Sequence, residues 1–593
     1  MTILLVVLAG IVPLLITPGL LFHYDITPKI AVIAVAASIG LMRPRLLANA
    51  GCALWNRQCG RWLLLLAGTQ IGWLLVCSTF SARPWFSLLG TNWRRMGVLT
   101  LFALVVCTVL IAGELCLRAS AIVIILRGMS VAALLASFYG IAQYFDLDPW
   151  QSAVAYHAQA GDSTIVRPPG TMGQADFFGW WLAISLFCAL QLCRTEIGGW
   201  RWIGRAAYLL SGVAILFSGT RSAMIAVLAG FALVFVRSGK HFRRNYGFVG
   251  IGAVALLAVF YVSPAGTRMR ARVQWSASEP LGGARPLLWR DSLKMAGWRP
   301  LTGFGPETFA AEFPRYQSAD LARLLPGFYQ ESPHNTALDA LTSEGVPGLV
   351  LAFGWLALAL YAANRAGSRN SAIAAAFVAS AIAAMFSAIT AGPLVATSLV
   401  IAMLVAGTPE DKALVPGLRP GMVFVAAAPF AVCLISYGVM LVISDAALAR
   451  FQRDSGSAAY RQVVRTETRG AAEDLYCSRR LSQICNGSRD CIDLAMQAAA
   501  RATETADSPS NAWFNLAIFE AAQNIPAPVE KALRTSMALA PNWFKPHWAM
   551  ASLLAITGRP ADARAEAERA LFLDAGKDPE VVQTARQITG RNP

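Results

Sequence analysis

GVLTLFALVVCTVLIAGEL, residues 97–115, carries a single charged side chain, Glu114. An apolar run of roughly 17–25 residues is the length a helix needs to cross a bilayer. This run lacks the in–out alternation of a barrel strand, so it reads as a spanning helix. Comparable runs lie outward from it at 2–22, 28–42, 62–80, 121–143, 175–193, 203–219, 222–236, 246–263, 346–364, 371–390, 392–407 and 421–444. The chain is 56% hydrophobic and only 14% charged, where soluble domains average about 25%. The fold class expected is all-α: a polytopic helical bundle of about 12–13 spans, counted from these runs.

The net charge of +16 does not point to nucleic acid. Its cations sit in short loops between apolar runs, as membrane anchoring requires. Residues 2–22 lack a basic leader and read as a first span instead of a cleaved signal. Arg43, Arg45, Arg57 and Arg61 share one loop. Arg194, Arg201 and Arg205 share another, Arg237, Lys240, Arg243 and Arg244 a third, and Arg365 and Arg369 a fourth. With alternating spans these loops fall on one side, which the positive-inside rule makes cytoplasmic. The expectation is therefore a bacterial inner-membrane protein whose large loop 264–345 and tail 445–593 are periplasmic, carried by a membrane domain of residues 1–444.

The outer side then holds cations against the usual bias, Arg83, Arg94, Arg95, Arg167 and Arg221 among them. Seven basic residues lie between 264 and 299, against Glu279 and Asp291. Snorkelling to lipid phosphates accounts for single cases, whereas a cluster suits a bound anion. Arg221, in the turn Ser218-Gly219-Thr220-Arg221-Ser222, is wedged between two apolar runs, where an ionisable residue is a functional candidate. Residues 286–298 read as a helix with Pro286 in its first turn. Trp289, Leu293 and Ala296 form one stripe and Arg290 and Lys294 the next, a pattern for a helix lying in the interface. Gly303-Phe304-Gly305-Pro306 breaks it.

His334 precedes a helix that either enters the span at 346–364 or kinks at Gly345-Val346-Pro347. An imidazole exchanges a proton near neutral pH, and arginine forks bind diphosphate oxygens in bidentate fashion. Together they suit attack by an acceptor hydroxyl on a sugar whose leaving group is a lipid diphosphate. The alternative role for His334 is a helix cap or interface residue. Asp146-Leu147-Asp148 could hold a divalent cation, but lacks a third nearby carboxylate. Glu331-x-x-His334 is weak as a zinc signature, and the sequence carries neither a Gly-x-Ser-x-Gly elbow nor a phosphate-binding loop. No metal or cofactor is expected.

After Ser444 the composition becomes that of a soluble helical domain. Ala517 and Ala551, Pro526 and Pro560, and Leu539 and Leu573 repeat at one spacing of 34, the tetratricopeptide period. Such a module presents a binding groove for a protein partner or a glycan. Cys477, Cys485 and Cys491 lie in this exported tail, where two of the three are expected to pair.

Four stretches resemble the O-antigen ligase superfamily, which includes O-antigen polymerases and protein O-oligosaccharyltransferases. They are Gly170-Thr171-Met172-Gly173-Gln174-Ala175-Asp176, Ser218-Gly219-Thr220-Arg221-Ser222-Ala223, Gly283-Ala284-Arg285-Pro286-Leu287-Leu288-Trp289 leading to Leu301-Thr302-Gly303-Phe304-Gly305, and His334-Asn335 with Glu344-Gly345-Val346-Pro347-Gly348. The resemblance implies inverting, metal-independent transfer of a glycan from undecaprenyl diphosphate to an acceptor hydroxyl on a glycan, lipid or protein. It implies that Arg221 and Arg285 contact the diphosphate and that His334 assists the acceptor. Arg290 is added as a third diphosphate ligand from the charge cluster. The chain departs from the family's Gly-Asn-x-Asn at Gly173-Gln174-Ala175-Asp176, and from the His-x-His-Asn of several members at Ser332-Pro333-His334-Asn335. A transporter or flippase for lipid-linked glycans is the reading from another class. It would favour ionisable residues near mid-membrane and internal repeats, whereas the cations cluster at one outer end and only Arg127 falls inside a span, near its cytoplasmic end, which favours the enzyme.

Overall fold

The computed structural model describes residues 1–160, 163–237, 283–327, 329–411, 420–468, 473–485 and 488–590, with isolated positions between 259 and 274. The expected span 246–263 lies almost wholly outside the described residues, as do Lys240, Arg243, Arg244, Arg268 and Arg272. Helices dominate. The one strand pairing among the described residues is a short antiparallel hairpin of His157–Ala160 with Ser163–Val166.

Six helices among the described residues are long and apolar enough to cross a membrane: Gln58–Thr79, Val98–Leu117, Ala119–Tyr144, Ala175–Thr195, Thr336–Arg365 and Pro420–Arg453. Thr27–Leu41 and Pro44–Trp55, bent by 89° at their junction, would make a seventh as a broken span. Most remaining expected runs are helical too, at Thr2–Leu14, Gly198–Ser218, Arg221–Arg237, Ser371–Ala384 and Ala391–Ala406. These are shorter or less apolar, so the described residues supply six or seven clear spans where the sequence predicts 12–13.

The chain forms two compact units. The first comprises Met1–Trp73, Arg94–Pro280 and Val350–Val442. Its core is the helix Ala175–Thr195, whose apolar window is 89% buried, with Phe178, Trp181 and Phe187 shielded from solvent. Gly198–Ser218 and Ser371–Ala384 pack along this helix. A helix apolar on every face belongs in such a central position.

The second unit comprises Leu74–Trp93, Leu281–Leu349 and Ile443–Pro593. It groups the large loop with the tail, whereas chain order suggests a boundary at 444/445. Contacts explain the grouping. Ala322 of the loop shares an apolar cluster with Phe544, Ala570, Leu573 and Val581 of the tail. Tyr329 donates its hydroxyl to the Asp507 carbonyl at 2.9 Å, and Asn542 Nδ2 donates to the Gln317 carbonyl at 2.7 Å. Lys577 Nζ donates to the carbonyls of Arg323 and Leu324 at 3.1 and 2.9 Å.

The tail is a succession of packed helices from Glu473–Ile484 to Pro579–Thr589. Ala517 and Ala551 are both buried, and Pro526 and Pro560 both open helices. Proline suits that place because a first-turn amide has no intrahelical acceptor. Cys485 and Cys491 form a disulfide. Cys477 is a buried thiol whose pKa burial pushes up.

Helix Arg285–Trp298 has Pro286 in its first turn, as expected, but buries a different stripe. Leu288 and Met295 join Phe304, Phe309, Phe313 and Leu321 in one cluster, whereas Leu293 is 54% exposed. Ala296 of the expected stripe is buried as well, and Asp291, a charge, is fully buried on the packed face.

Beyond this helix the chain turns through Gly303-Phe304-Gly305 and is tied to the kink of helix Thr336–Arg365. Phe304 N donates to the Thr342 carbonyl and Gly305 N to that of Ser343, each at 2.9 Å, and Val346 N to that of Pro300 at 2.7 Å. Gly345 sits at the kink with φ 71° and ψ −166°, a conformation nearly restricted to glycine. A Cβ there would lie 2.3 Å from the Leu301 carbonyl oxygen. Gly345→Ala should therefore cost at least the ~1–3 kcal/mol of such backbone strain and lower the melting temperature of the detergent-solubilised protein. Gly297→Ala, in the same unit with open space around its Cβ, should leave it unchanged or slightly raised. Equal behaviour of the two variants would contradict the packing described.

Candidate functional site

The expected site residues divide between the units. Arg221 belongs to the first, and Arg285, Arg290 and His334 belong to the second.

In the second unit, Arg285 opens the helix Arg285–Trp298. One turn along the same face is Trp289, whose Nε1 donates to the Pro333 carbonyl at 3.0 Å. That carbonyl belongs to the peptide preceding His334, so one hydrogen bond ties the helix of Arg285 to the backbone of His334. His334 has φ 50°, in the left-handed region where histidine is among the enriched side chains. Its amide donates to Ser332 Oγ at 3.2 Å, and Ser332 is fully buried. The adjoining helix is capped by Asn335, whose Oδ1 accepts from the amides of Ala337 and Leu338 at 3.0 and 3.1 Å. Capping is thus met by Asn335 and does not account for the imidazole. Glu331 and His334 are not joined by two further ligating side chains: among the described residues no group of three His, Cys, Asp or Glu could hold a metal.

Arg290 is differently placed from what the charge count suggests. Its Nε donates to Asp291 Oδ1 at 3.1 Å, and Nη2 donates to Ser318 Oγ at 2.7 Å. Both Nη atoms also reach Asp320 Oδ2 at 3.2 Å. Asp291 Oδ2 accepts the Ser318 amide at 2.8 Å. The guanidinium therefore fastens the segment entering the helix Ala319–Leu324 onto the Arg285 helix. An arginine whose donors are committed to carboxylates is a poorer diphosphate ligand than its charge alone implies.

In the first unit, Arg221 begins the helix Arg221–Arg237 after Gly219, which adopts φ 62°. Thr220 Oγ1 donates to the Ala175 carbonyl at 3.0 Å, which sets this turn against the first residue of the central helix. The stretch just ahead, Gly170–Met172 and Gly173, is held from several directions. Gly170 N donates to Gln143 Oε1 at 2.8 Å, and Thr171 Oγ1 to the Pro13 carbonyl at 2.7 Å. Arg167 pairs with Asp176 at 2.8 Å.

Sequence reasoning missed the residues beneath this turn. Lys29 is buried, and its Nζ donates to the carbonyls of Leu15, Asp25 and Thr171 at 2.9, 2.6 and 2.7 Å. A Cβ on Gly173 would lie 1.8 Å from Asp25 Oδ2, so the carboxyl packs directly on the glycine. Burial raises the pKa of Asp25, opposed by the Lys29 charge. Burial and, secondarily, the Arg95 charge lower that of His23 to about 3, keeping its imidazole neutral. Arg94 and Arg95 are themselves buried. The available signal was the Asp25–Lys29 spacing of four at the start of an apolar run.

The Asp146–Asp148 pair is used locally. Asp148 accepts from the hydroxyl of Tyr139, from Gln143 Nε2 and from the amides of Trp150 and Gln151. Asp146 bonds His157 Nε2 at 2.8 Å. Arg127, the one cation expected within a span, pairs with Glu196 and lies 4.6 Å from the centroid of Trp200.

Lys29 joins three carbonyls of the first unit through one buried ammonium. Lys29→Met leaves three carbonyls, that of Thr171 buried among them, without this donor, and Asp25 without its nearby positive charge. It should cost about 3–5 kcal/mol, the range for removing one member of a buried pair, read as a lower melting temperature. The double variant Asp25→Asn, Lys29→Met should recover part of that loss. A wild-type melting temperature for Lys29→Met would contradict the arrangement.

No curated protein matches the chain. Residues 206–353 match the family model described as O-Antigen ligase, and Arg221, Arg285, Arg290 and His334 all fall inside that segment. The match supports a place for this chain in the O-antigen ligase superfamily, and glycan transfer of the ligase or polymerase kind.

Proposed function

We propose that the protein transfers a glycan from undecaprenyl diphosphate to an acceptor hydroxyl at the periplasmic face of the bacterial inner membrane. The observation that carries this reading is the Trp289–Pro333 hydrogen bond. It keeps the helix begun by Arg285 fixed to the left-handed elbow at His334. A guanidinium and an imidazole, one suited to diphosphate and the other to a hydroxyl proton, thereby share one framework.

In the reaction, His334 accepts the proton of the acceptor hydroxyl as its oxygen attacks the anomeric carbon. A new C–O glycosidic bond forms and the C–O bond to the diphosphate breaks. Undecaprenyl diphosphate departs with the bonding electrons, and the anomeric configuration inverts. Arg285 offsets the charge that builds on the leaving group. Arg221 is also assigned to diphosphate binding, on the strength of its place in the matched segment. Arg290 is assigned to positioning, since its donors are held by Asp291 and Asp320. The chemistry is metal-independent and needs no cofactor. The tail is read as tetratricopeptide-like. The acceptor is a growing glycan or a lipid-linked core, with a protein hydroxyl as the alternative.

The test is complementation of cells lacking the protein. His334→Ala should cut transfer by about 10²–10⁴-fold, the usual worth of a positioned base, and Arg285→Ala and Arg221→Ala should also abolish long surface glycan. All three should accumulate lipid-linked precursor on the outer leaflet while the protein remains folded in the membrane. Normal glycan with any variant removes that residue from the mechanism. Accumulation on the cytoplasmic leaflet would instead identify a flippase.

A further inference from the structure

Within the second unit a cleft opens between loop residues 314–330 and the tail. Its walls include Gln317, Tyr329 and Gln330 from the loop and Asn511, Asn542 and Trp543 from the tail. None of its lining residues is charged, although the chain has 50 lysines and arginines and a net charge of +16. That lining disfavours a diphosphate or an anionic lipid headgroup, which would draw on guanidinium or ammonium groups. Aromatic faces beside the amides of Gln317 and Gln330 instead suit a neutral polyhydroxylated ring, the rings covering its C–H face while these amides meet its hydroxyls; Asn511 and Asn542 are engaged by Arg479 and Arg569.

The cleft encloses about 70 Å³, the liquid share of about two waters at roughly 30 Å³ each, so a sugar ring would be partly enclosed and partly open to solvent. Gln330 is 5% exposed, and its Nε2 is a buried donor that no protein acceptor meets. A buried amide so placed is costly unless a ligand or solvent oxygen completes it. Gln330 is also four residues before His334 on the same strand of loop.

We infer that this cleft is a glycan subsite that holds one neutral sugar residue of the chain being transferred or extended. It rests on the glycan-transfer reading above and adds a second point of attachment away from the reacting bond. The loop-to-tail hydrogen bonds of Tyr329 and Asn542 give such a subsite a fixed wall on each side. This gives the tail a part in substrate binding.

Binding can be measured without turnover. The full-length protein in detergent is titrated, by saturation-transfer NMR and tryptophan fluorescence, with lipid-free oligosaccharides released from the producing cell's own surface glycan. Defined neutral tetrasaccharides of gluco, galacto and manno configuration form a second series, and uncharged peptides of similar mass a third. The native oligosaccharide should bind saturably. Gln330→Leu and Gln317→Ala should each weaken it by about tenfold, as loss of a buried hydrogen bond does, at unchanged melting temperature. His334→Ala should bind it normally. In transfer assays, the two glutamine variants should raise KM for whichever substrate supplies the bound residue: acceptor if lengthening the acceptor glycan restores the rate, donor if lengthening the lipid-linked glycan does. Absence of saturable sugar binding, binding indifferent to both variants, or preference for the peptides would each overturn the inference. Sugar binding that survives alongside a fully active His334→Ala would keep the subsite and overturn the catalytic assignment instead.

Discussion

Three backbone hydrogen bonds hold the second unit's loop closed. Residues 304 and 305 donate to the carbonyls of 342 and 343, and residue 346 returns a donor to the carbonyl of 300. The chain can approach itself this closely only where side chains are missing. Gly303 and Gly345, both at positive φ, meet backbone atoms of the opposing segment where a Cβ would fall. Everything between, including the 313–330 segment and the elbow at His334, is a closed loop whose two ends are fixed together. Held this way, a histidine can sit in a left-handed conformation, a strain of order 1–3 kcal/mol that only a surrounding structure can maintain.

The same loop is gripped from two further sides. Arg290 and the buried Asp291 hold its 318–320 turn against the Arg285 helix, and the tail holds 317–329 through hydrogen bonds and an apolar cluster. A loop with this many attachments is preorganised: on the proposed mechanism, the entropy of placing His334 and Arg285 is met on folding and not at each turnover. The tail, which chain order presents as an appendage, is in contact terms part of the wall around this loop. In the first unit, the buried ammonium of Lys29 does similar work for the turn at 170–173, gathering carbonyls from three segments.

The helical class was legible because apolar length is a local property, and the kink at Gly345 and the break at Gly303 were legible as glycine-bearing interruptions. Their cause was not, since the opposing backbone lies some forty positions away in sequence. Arg290 illustrates the limit for charge. Counting cations between 264 and 299 marks it as a ligand, but Asp320, which engages it, lies outside that window. The stripe on 286–298 went astray for a related reason: periodicity treats Asp291 as solvent-facing, while its arginine partner and the Ser318 amide let it be buried. Lys29 was overlooked because the carbonyls it satisfies leave no trace in composition. The likeness at Arg285 and His334 could be read from motif order, whereas the Trp289–Pro333 bond linking their backbones could be seen only in three dimensions.

The central claim is that the framework of Arg285 and His334 divides donor binding from proton transfer. The most direct measurement is single-turnover transfer by purified protein from a radiolabelled prenyl-diphosphate glycan, with donor affinity recorded separately on each variant. The account predicts that His334→Ala binds the donor as tightly as the unaltered protein but transfers at most about a hundredth as fast, while Arg285→Ala loses donor affinity as well as rate. Equal release of prenyl diphosphate by His334→Ala and the unaltered protein, at matched donor occupancy, would contradict it.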